Sequence, residues 1–272
     1  MQCILTALKA ESQPLINHFN LSRDISFQFP VFKNKNLYLV GLGVGKKNIR
    51  NRIETFLNQN NPDLIQFINI GIAGGNPKST KIGDSYLLHK IKDETTGKTY
   101  YPDILIKHNF EEISLVTVEN VILDGEGVYK GLVDMEASEI FKICSSLVPV
   151  HRLAFLKIVS DYMNNEFEQI MAHPISNLIS HQLNSIEYFL SKFERMLNED
   201  APILSEKDIK WIDERVQQLS LTETQYQQLL QFAKGFRLRK TGLPFPDVEK
   251  NPPSNKTTQK LHFKNICAKL SA

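Results

Sequence analysis

Short apolar runs alternate with stretches of helical period through the first 196 residues, and this alternation narrows the possible folds more than any other feature. Residues 2–8 read as a buried first strand. A helix is expected over 11–19, with Ser12 as a candidate cap and Pro14 tolerated in its first turn. Residues 36–40 form a strand that runs into Gly41-Leu42-Gly43-Val44-Gly45, and a helix is expected over 46–58. Residues 64–70 are an apolar run bounded by Pro62 and Gly71, which suits a strand covered on both faces. Further strands are expected over 84–91, 115–122 and 153–160, and helices over 135–147 and 174–197, the last with Pro174 in its first turn. Strands alternating with helices predict a three-layer α/β domain over residues 1–196.

The character changes after Asn198. Pro202 breaks the pattern, and residues 205–219 and 222–236 read as two polar helices. Thr222 with Gln225 has capping-box spacing, and Ser205 is a candidate cap. Residues 197–272 are therefore expected to be a helical extension. Between Gly242 and Asn255 the prolines at 244, 246, 252 and 253 predict extended chain. Residues 234–272 carry nine Lys/Arg and two Asp/Glu, a net of +7 against +2 for the whole chain, which leaves −5 elsewhere. Phe236, Phe245 and Phe263 lie among these basic residues, a mixture that can track a phosphate backbone. Leu261, Phe263, Ile266 and Leu270, however, form a helical apolar stripe that prefers a protein groove. The expectation is docking on this chain's own domain or on a partner subunit, with no nucleic-acid partner.

Hydrophobic residues at 42% and charged residues at 23% are ordinary for a globular protein. No apolar run approaches the ~20 residues that cross a bilayer. Residues 1–9 lack the basic leader and long apolar stretch of a signal peptide, so a cytoplasmic location without membrane association is expected. Cys3, Cys144 and Cys267 are scattered, odd in number and without zinc spacing. Neither a metal nor a cofactor is expected.

Four segments carry the chemistry. They are Ala7-Leu8-Lys9-Ala10-Glu11; Phe67-Ile68-Asn69-Ile70-Gly71-Ile72-Ala73-Gly74-Gly75, a strand ending in a glycine-rich turn; Val133-Asp134-Met135-Glu136-Ala137; and Ile158-Val159-Ser160-Asp161. Ligands of α/β sheets collect where strands end, so three acidic residues near strand ends can converge on one pocket. Singly, each has a plainer reading. Glu11 suits a helix N-terminus, Glu136 a solvated helix face, and Asp161 a cap after its strand.

Taken in order, with Gly43-Val44-Gly45-Lys46 and Ile82-Gly83-Asp84 between them, these segments resemble the purine nucleoside phosphorylase and nucleosidase family. The nearest branch is the 5′-methylthioadenosine/S-adenosylhomocysteine nucleosidases, and the resemblance covers about residues 2–195. It implies a phosphorylase/hydrolase-like fold with a central mixed sheet, a nucleoside substrate and a homodimer. Tyr100, Tyr101 and Ile104 offer apolar surface for the dimer. The resemblance makes Glu11 the base that activates water. Glu136 binds the ribose hydroxyls beside Met135, and Asp161, supported by Ser160, donates a proton towards purine N7. Ile72, Ile122 and Lys157 fall at further substrate-contacting positions.

Breaking an N-ribosidic bond builds positive charge on the sugar and negative charge on the base. A carboxylate stabilises the first and a protonated acid neutralises the second. Asp161 would need a raised pKa while Glu11 stays ionised. Several positions depart from the family pattern. Asn69 stands where phosphorolytic members carry Arg, and Ile72 where Ser is usual; both favour water over phosphate. Lys157 replaces an Arg, Val121 an aromatic and Glu119 an Asp, and the 84–133 span is short. Hydrolysis of an adenine nucleoside is the leading expectation. Phosphorolysis, or nucleoside binding by a degenerate site, are the alternatives.

Overall fold

A computed structural model of the chain describes residues 1–60, 64–122, 128–164, 174–199, 203–240, 243–248, 253 and 255–271. Two compact units divide it, Met1–Glu199 and Asp200–Ala272.

The first unit is built on strand β5 (Gln66–Gly74), which is buried along almost its whole length. One edge of β5 pairs in parallel with β10 (Leu153–Asp161). The other edge changes partner along its length. Residues Gln66 to Asn69 pair with β1 (Gln2–Thr6), whereas Gly74 pairs with Val133 of the short antiparallel β9 (Leu132–Asp134). Beyond β10 the sheet continues through β6 (Ser85–Asp93) and β8 (Glu111–Thr117) and returns to β9, so five strands close on themselves. On the other side β1 leads to β4 (Leu37–Gly41), β3 (Val31–Asn34) and β2 (Ser22–Arg23), while β7 (Thr99–Tyr100) pairs with β6. The sheet is mixed, as expected.

Helices cover both faces. Helices α2 (Ile49–Asn60) and α3 (Ala137–Cys144) bury Ile53, Phe56, Ile140 and Ile143 against one face. Helices α1 (Lys9–His18) and α4 (Ile175–Glu199) bury Leu15, Ile179, Ile186 and Phe189 against the other. Gln66 sits in the apolar run of β5 because its amide is satisfied: Gln2 Nε2 donates to Gln66 Oε1 at 3.0 Å, and Gln66 Nε2 donates to the Phe193 carbonyl of α4.

Three local expectations are corrected. Helix α1 begins at Lys9 with Leu8 as its N-cap, so Ser12 is not a cap. The Ser12 hydroxyl instead donates to the Leu8 carbonyl, 2.9 Å away, and lies against Thr6 Oγ1. Strand β5 runs on to Gly74, through residues read as a glycine-rich turn. Strand β8 begins and ends earlier than the expected 115–122.

In the second unit α5 (Glu206–Leu219) is capped by Ser205 with Asp208, and α6 (Glu223–Arg239) by Thr222 with Gln225. The third helix, α7 (Lys256–Ser271), buries Ile266 and Leu270 in a core shared with Ile212, Leu229 and Phe236. Its apolar stripe is thus taken up within its own unit rather than in another groove, while Leu261 stays outside, 56% exposed. The tail aromatics are engaged in the same core. Phe236 is buried, Phe245 packs on Trp211 with ring centroids 4.7 Å apart, and Phe263 is partly buried. Pro202, Gly242 and Pro252 lie outside the described residues.

No helix among the described residues is long and apolar enough to cross a membrane. Because Leu270 is fully buried, Leu270→Ala is expected to cost the second unit about 2–5 kcal/mol, read as a lower urea midpoint.

Candidate active site

Where β5 changes partner, part of its edge is left without a neighbouring strand, and Glu11 fills it. Glu11 Oε1 accepts the Ile72 N–H at 2.9 Å, a backbone group that a longer β1 could have reached. Its other oxygen accepts the Ala7 and Leu8 N–H groups, both at 2.8 Å. The plain helix-terminus reading of Glu11 is thus part of its role, but the residue is 2% exposed and also tied to β5. Gly71 makes room for this. A Cβ there would stand 2.8 Å from Glu11 Oε1 and 3.4 Å from Lys157 Nζ.

Glu136 lies at the N-terminus of α3, 8% exposed, so it does not occupy a solvated helix face. Its Oε1 accepts the Gly45 N–H at 2.8 Å. Gly45 has φ +76° and nothing within 4 Å of a would-be Cβ, so glycine is required there for backbone conformation rather than for space. Burial pushes the Glu136 carboxyl above its ordinary range; Lys157 opposes this, Asp134 adds to it, and the Gly45 N–H opposes it.

Asp161 ends β10. Its Oδ2 accepts the Ser160 hydroxyl at 2.6 Å and its Oδ1 the Met163 N–H at 2.8 Å. The second bond supports Met163 in the left-handed region at φ 58°, so Asp161 does cap the segment after its strand. Gly74 admits the Met163 side chain, whose Cγ lies 2.5 Å from where a Cβ would be.

These three carboxyls line one cavity of about 230 Å³, at the end of the sheet where β5 and β10 finish. Ile72, Ile122, Met135 and Ser160 line it too. Ile122 adjoins residues 123–127, which lie outside the described residues. Lys157 does not line the cavity. It is buried in β10, and its Nζ pairs with Asp134 Oδ2 at 2.8 Å. Burial alone would lower the Lys157 pKa, but Asp134, Glu136 and Glu11 outweigh it and raise it.

Sequence reasoning missed Asp134 as a site residue. Its oxygens also accept the Thr117 hydroxyl and the Ala137 N–H. The available signal was Lys157 itself, because a lysine inside an apolar strand needs a buried counter-charge. Among the described residues that line the cavity none is Lys, Arg or His. Asn69 is buried below it, with its Nδ2 donating to the Leu5 carbonyl.

No family model and no curated protein sequence matches the chain. Solved structures do. A 5′-methylthioadenosine/S-adenosylhomocysteine nucleosidase from S. pneumoniae, solved with a transition-state inhibitor, superposes with a TM-score of 0.58 at 17% identity, covering 71% of this chain and 99% of that one. The Arabidopsis thaliana 5′-methylthioadenosine nucleosidase gives 0.58 at 18% identity, covering 71% and 95%. A Chlamydia trachomatis nucleosidase bound to MTA gives 0.56 at 21% identity, covering 71% and 98%. The chain has the fold of the 5′-methylthioadenosine/S-adenosylhomocysteine nucleosidases. Within this nucleosidase fold the cavity sits at the strand ends, where α/β sheets hold ligands.

The raised Glu136 pKa has a stability consequence. The folded state holds this proton more tightly than the unfolded chain, so stability falls as pH rises from the unfolded carboxyl value, about 4.3, through the folded value. Glu136→Gln keeps an acceptor for Gly45 and removes the titration. It is expected to melt higher than the parent at neutral pH and no higher below about pH 4. Thermal scans across this range check it, and an advantage that persists in acid would contradict it.

Proposed function

We propose that the first unit hydrolyses the N-ribosidic bond of a purine nucleoside. Adenine is the base, and a 5′-thio nucleoside such as 5′-methylthioadenosine or S-adenosylhomocysteine is the substrate. The observation that carries this reading is the convergence of Glu11, Glu136 and Asp161 on one cavity.

Each carboxyl has a task that its surroundings suit. A carboxylate offers about four lone-pair sites. Glu11 spends three on backbone N–H groups, which fixes its direction and leaves about one to hold a water. Glu136, held at one oxygen by Gly45, takes the ribose hydroxyls, with Met135 beside the sugar. Asp161, braced by Ser160, faces the base. As the C–N bond breaks, its electron pair goes to the purine and the Asp161 proton goes to N7. Water attacks the sugar carbon and gives its proton to Glu11. At the cavity wall the carboxyls of Glu11, Asp134 and Glu136 outnumber the single buried cation Lys157 behind it, which favours the positive charge that develops on the ribose.

Water as the nucleophile is supported by the absence of Lys, Arg and His from the described lining. Phosphate binding normally uses such groups. The Ile72 N–H, a further candidate donor, is already engaged by Glu11.

Adenine release from 5′-methylthioadenosine is expected without phosphate and unchanged by its addition. Asp161→Asn retains an acceptor for the Met163 N–H, so it should fold. Loss of one acid–base group is expected to lower kcat by ~10²–10⁴-fold. A strict phosphate requirement would turn the reading into a phosphorylase. A second reading, nucleoside binding without turnover, draws on Asp161 already serving as a cap and on Val121, 68% exposed at the cavity where an aromatic would cover a base. Calorimetric binding with no adenine released on long incubation would select it.

The same reading includes a homodimer. Of the three apolar residues considered for its surface, Tyr100 packs inward on Phe141, Ile104 is partly buried and Tyr101 is exposed; Leu105, next to Ile104, is exposed as well. Light scattering at micromolar concentration is expected to give twice the chain mass, and a monomer would contradict it.

A further inference from the structure

Asp93 stands outside the cavity and has no place in the reaction described above, yet it is buried and uses both oxygens fully. Its Oδ1 accepts the N–H and the hydroxyl of Thr96, at 2.8 and 2.9 Å. Its Oδ2 accepts Lys46 Nζ and the Ser138 hydroxyl, both at 2.7 Å.

The last two partners belong to the two segments that hold Glu136. Ser138 is two residues beyond Glu136, in the first turn of α3. Lys46 follows Gly45, whose N–H donates to Glu136. The loop between β4 and α2 that carries Gly45 has two residues, Gly43 and Gly45, at positive φ. Arg52 Nη1 anchors its start on the Gly41 carbonyl at 2.6 Å, and Lys46 anchors its end on Asp93. One buried carboxylate therefore bridges the helix that bears Glu136 and the loop that donates to it. A second chain runs from the same helix turn. The Ser138 N–H donates to Thr117 Oγ1, whose hydroxyl donates to Asp134, the partner of Lys157.

We propose that Asp93 and Lys46 are positioning residues that lock the Gly43–Gly45 loop onto Glu136 and so set the sugar-binding half of the site. The effect on ligand binding rests on the nucleosidase reading above; the effect on the loop does not. Lys46 is one-quarter exposed, so replacing it removes no buried apolar side chain, and Asp93 keeps its bonds to Thr96 and Ser138.

The test compares Lys46→Met and Lys46→Arg with the parent, using amide hydrogen exchange and calorimetry with adenine and with 5′-methylthioadenosine. In Lys46→Met, Gly45 exchange is expected to accelerate roughly tenfold or more, while the amides of Ile68 and Ile70 in β5 keep their protection. Nucleoside affinity is expected to fall by roughly tenfold with adenine affinity unchanged, because the base is held from the Asp161 side. Lys46→Arg keeps a cation for Asp93 and should restore both. Unchanged Gly45 protection in Lys46→Met would overturn the proposal. So would a loss of protection shared equally by β5, which marks general loosening, or an equal loss of adenine and nucleoside affinity. A parent protein that binds and cleaves no nucleoside would reject the nucleosidase reading, and Gly45 exchange would still decide the positioning role.

Discussion

The hydrogen bond from Ile72 N–H to Glu11 does for β5 what a neighbouring strand would otherwise do. Backbone donors inside a protein must find acceptors, and β5 loses its β1 partner after Asn69 and meets β9 only at Gly74. A side-chain carboxylate inserted between them satisfies the strand and opens the sheet edge into a cavity at once. Helix α1 starts where it does because the same carboxylate reaches back to Ala7 and Leu8. The departure of β1, the start of α1 and the position of the cavity are one arrangement.

Charge is the second constraint. Glu11, Asp134 and Glu136 gather around a single buried Lys157, and burial penalises every one of these charges. Such a cluster is a poor choice for stability alone, since well-packed apolar residues would do as well or better. Hydrogen bonds to backbone and hydroxyl groups around each carboxylate hold it together. The raised pKa of Glu136 marks where that compensation is incomplete. A carboxyl with a raised pKa at the wall of a cavity is the electrostatic mark of a candidate functional site.

Long elements were legible in the sequence because their own residues specify them. β5, β10 and α4 each carry enough apolar pattern to be read without knowledge of their neighbours. β2, β7 and β9 escaped because two or three residues carry no period. The start of β8 was hidden by Glu111 and Glu112, which face solvent there. Glycines at 71, 74 and 75 looked like a turn, yet they lie in or beside a strand and are small because Glu11, Met163 and Thr80 crowd against them. Composition alone does not distinguish those two reasons for glycine. Among the site residues, the carboxyls at strand ends stood out because their neighbours made them recognisable as a set. Asp93 and Lys46 did not, because their importance lies in a pairing across 47 positions of sequence.

The crowding at those glycines also divides the cavity into two kinds of wall. Along β5 it is walled by Ile72, Ala73 and Gly74, and a side chain added at Gly74, or at Gly71 just behind, would displace Met163 or Glu11. Its rim includes Val44 and Val121, 57% and 68% exposed, whose side chains face little else. Sequence change is therefore channelled away from the glycines and towards the exposed rim. Variation at position 121 would alter the rim without touching a carboxyl, whereas a side chain at 71, 74 or 75 would collide with Glu11, Met163 or Thr80.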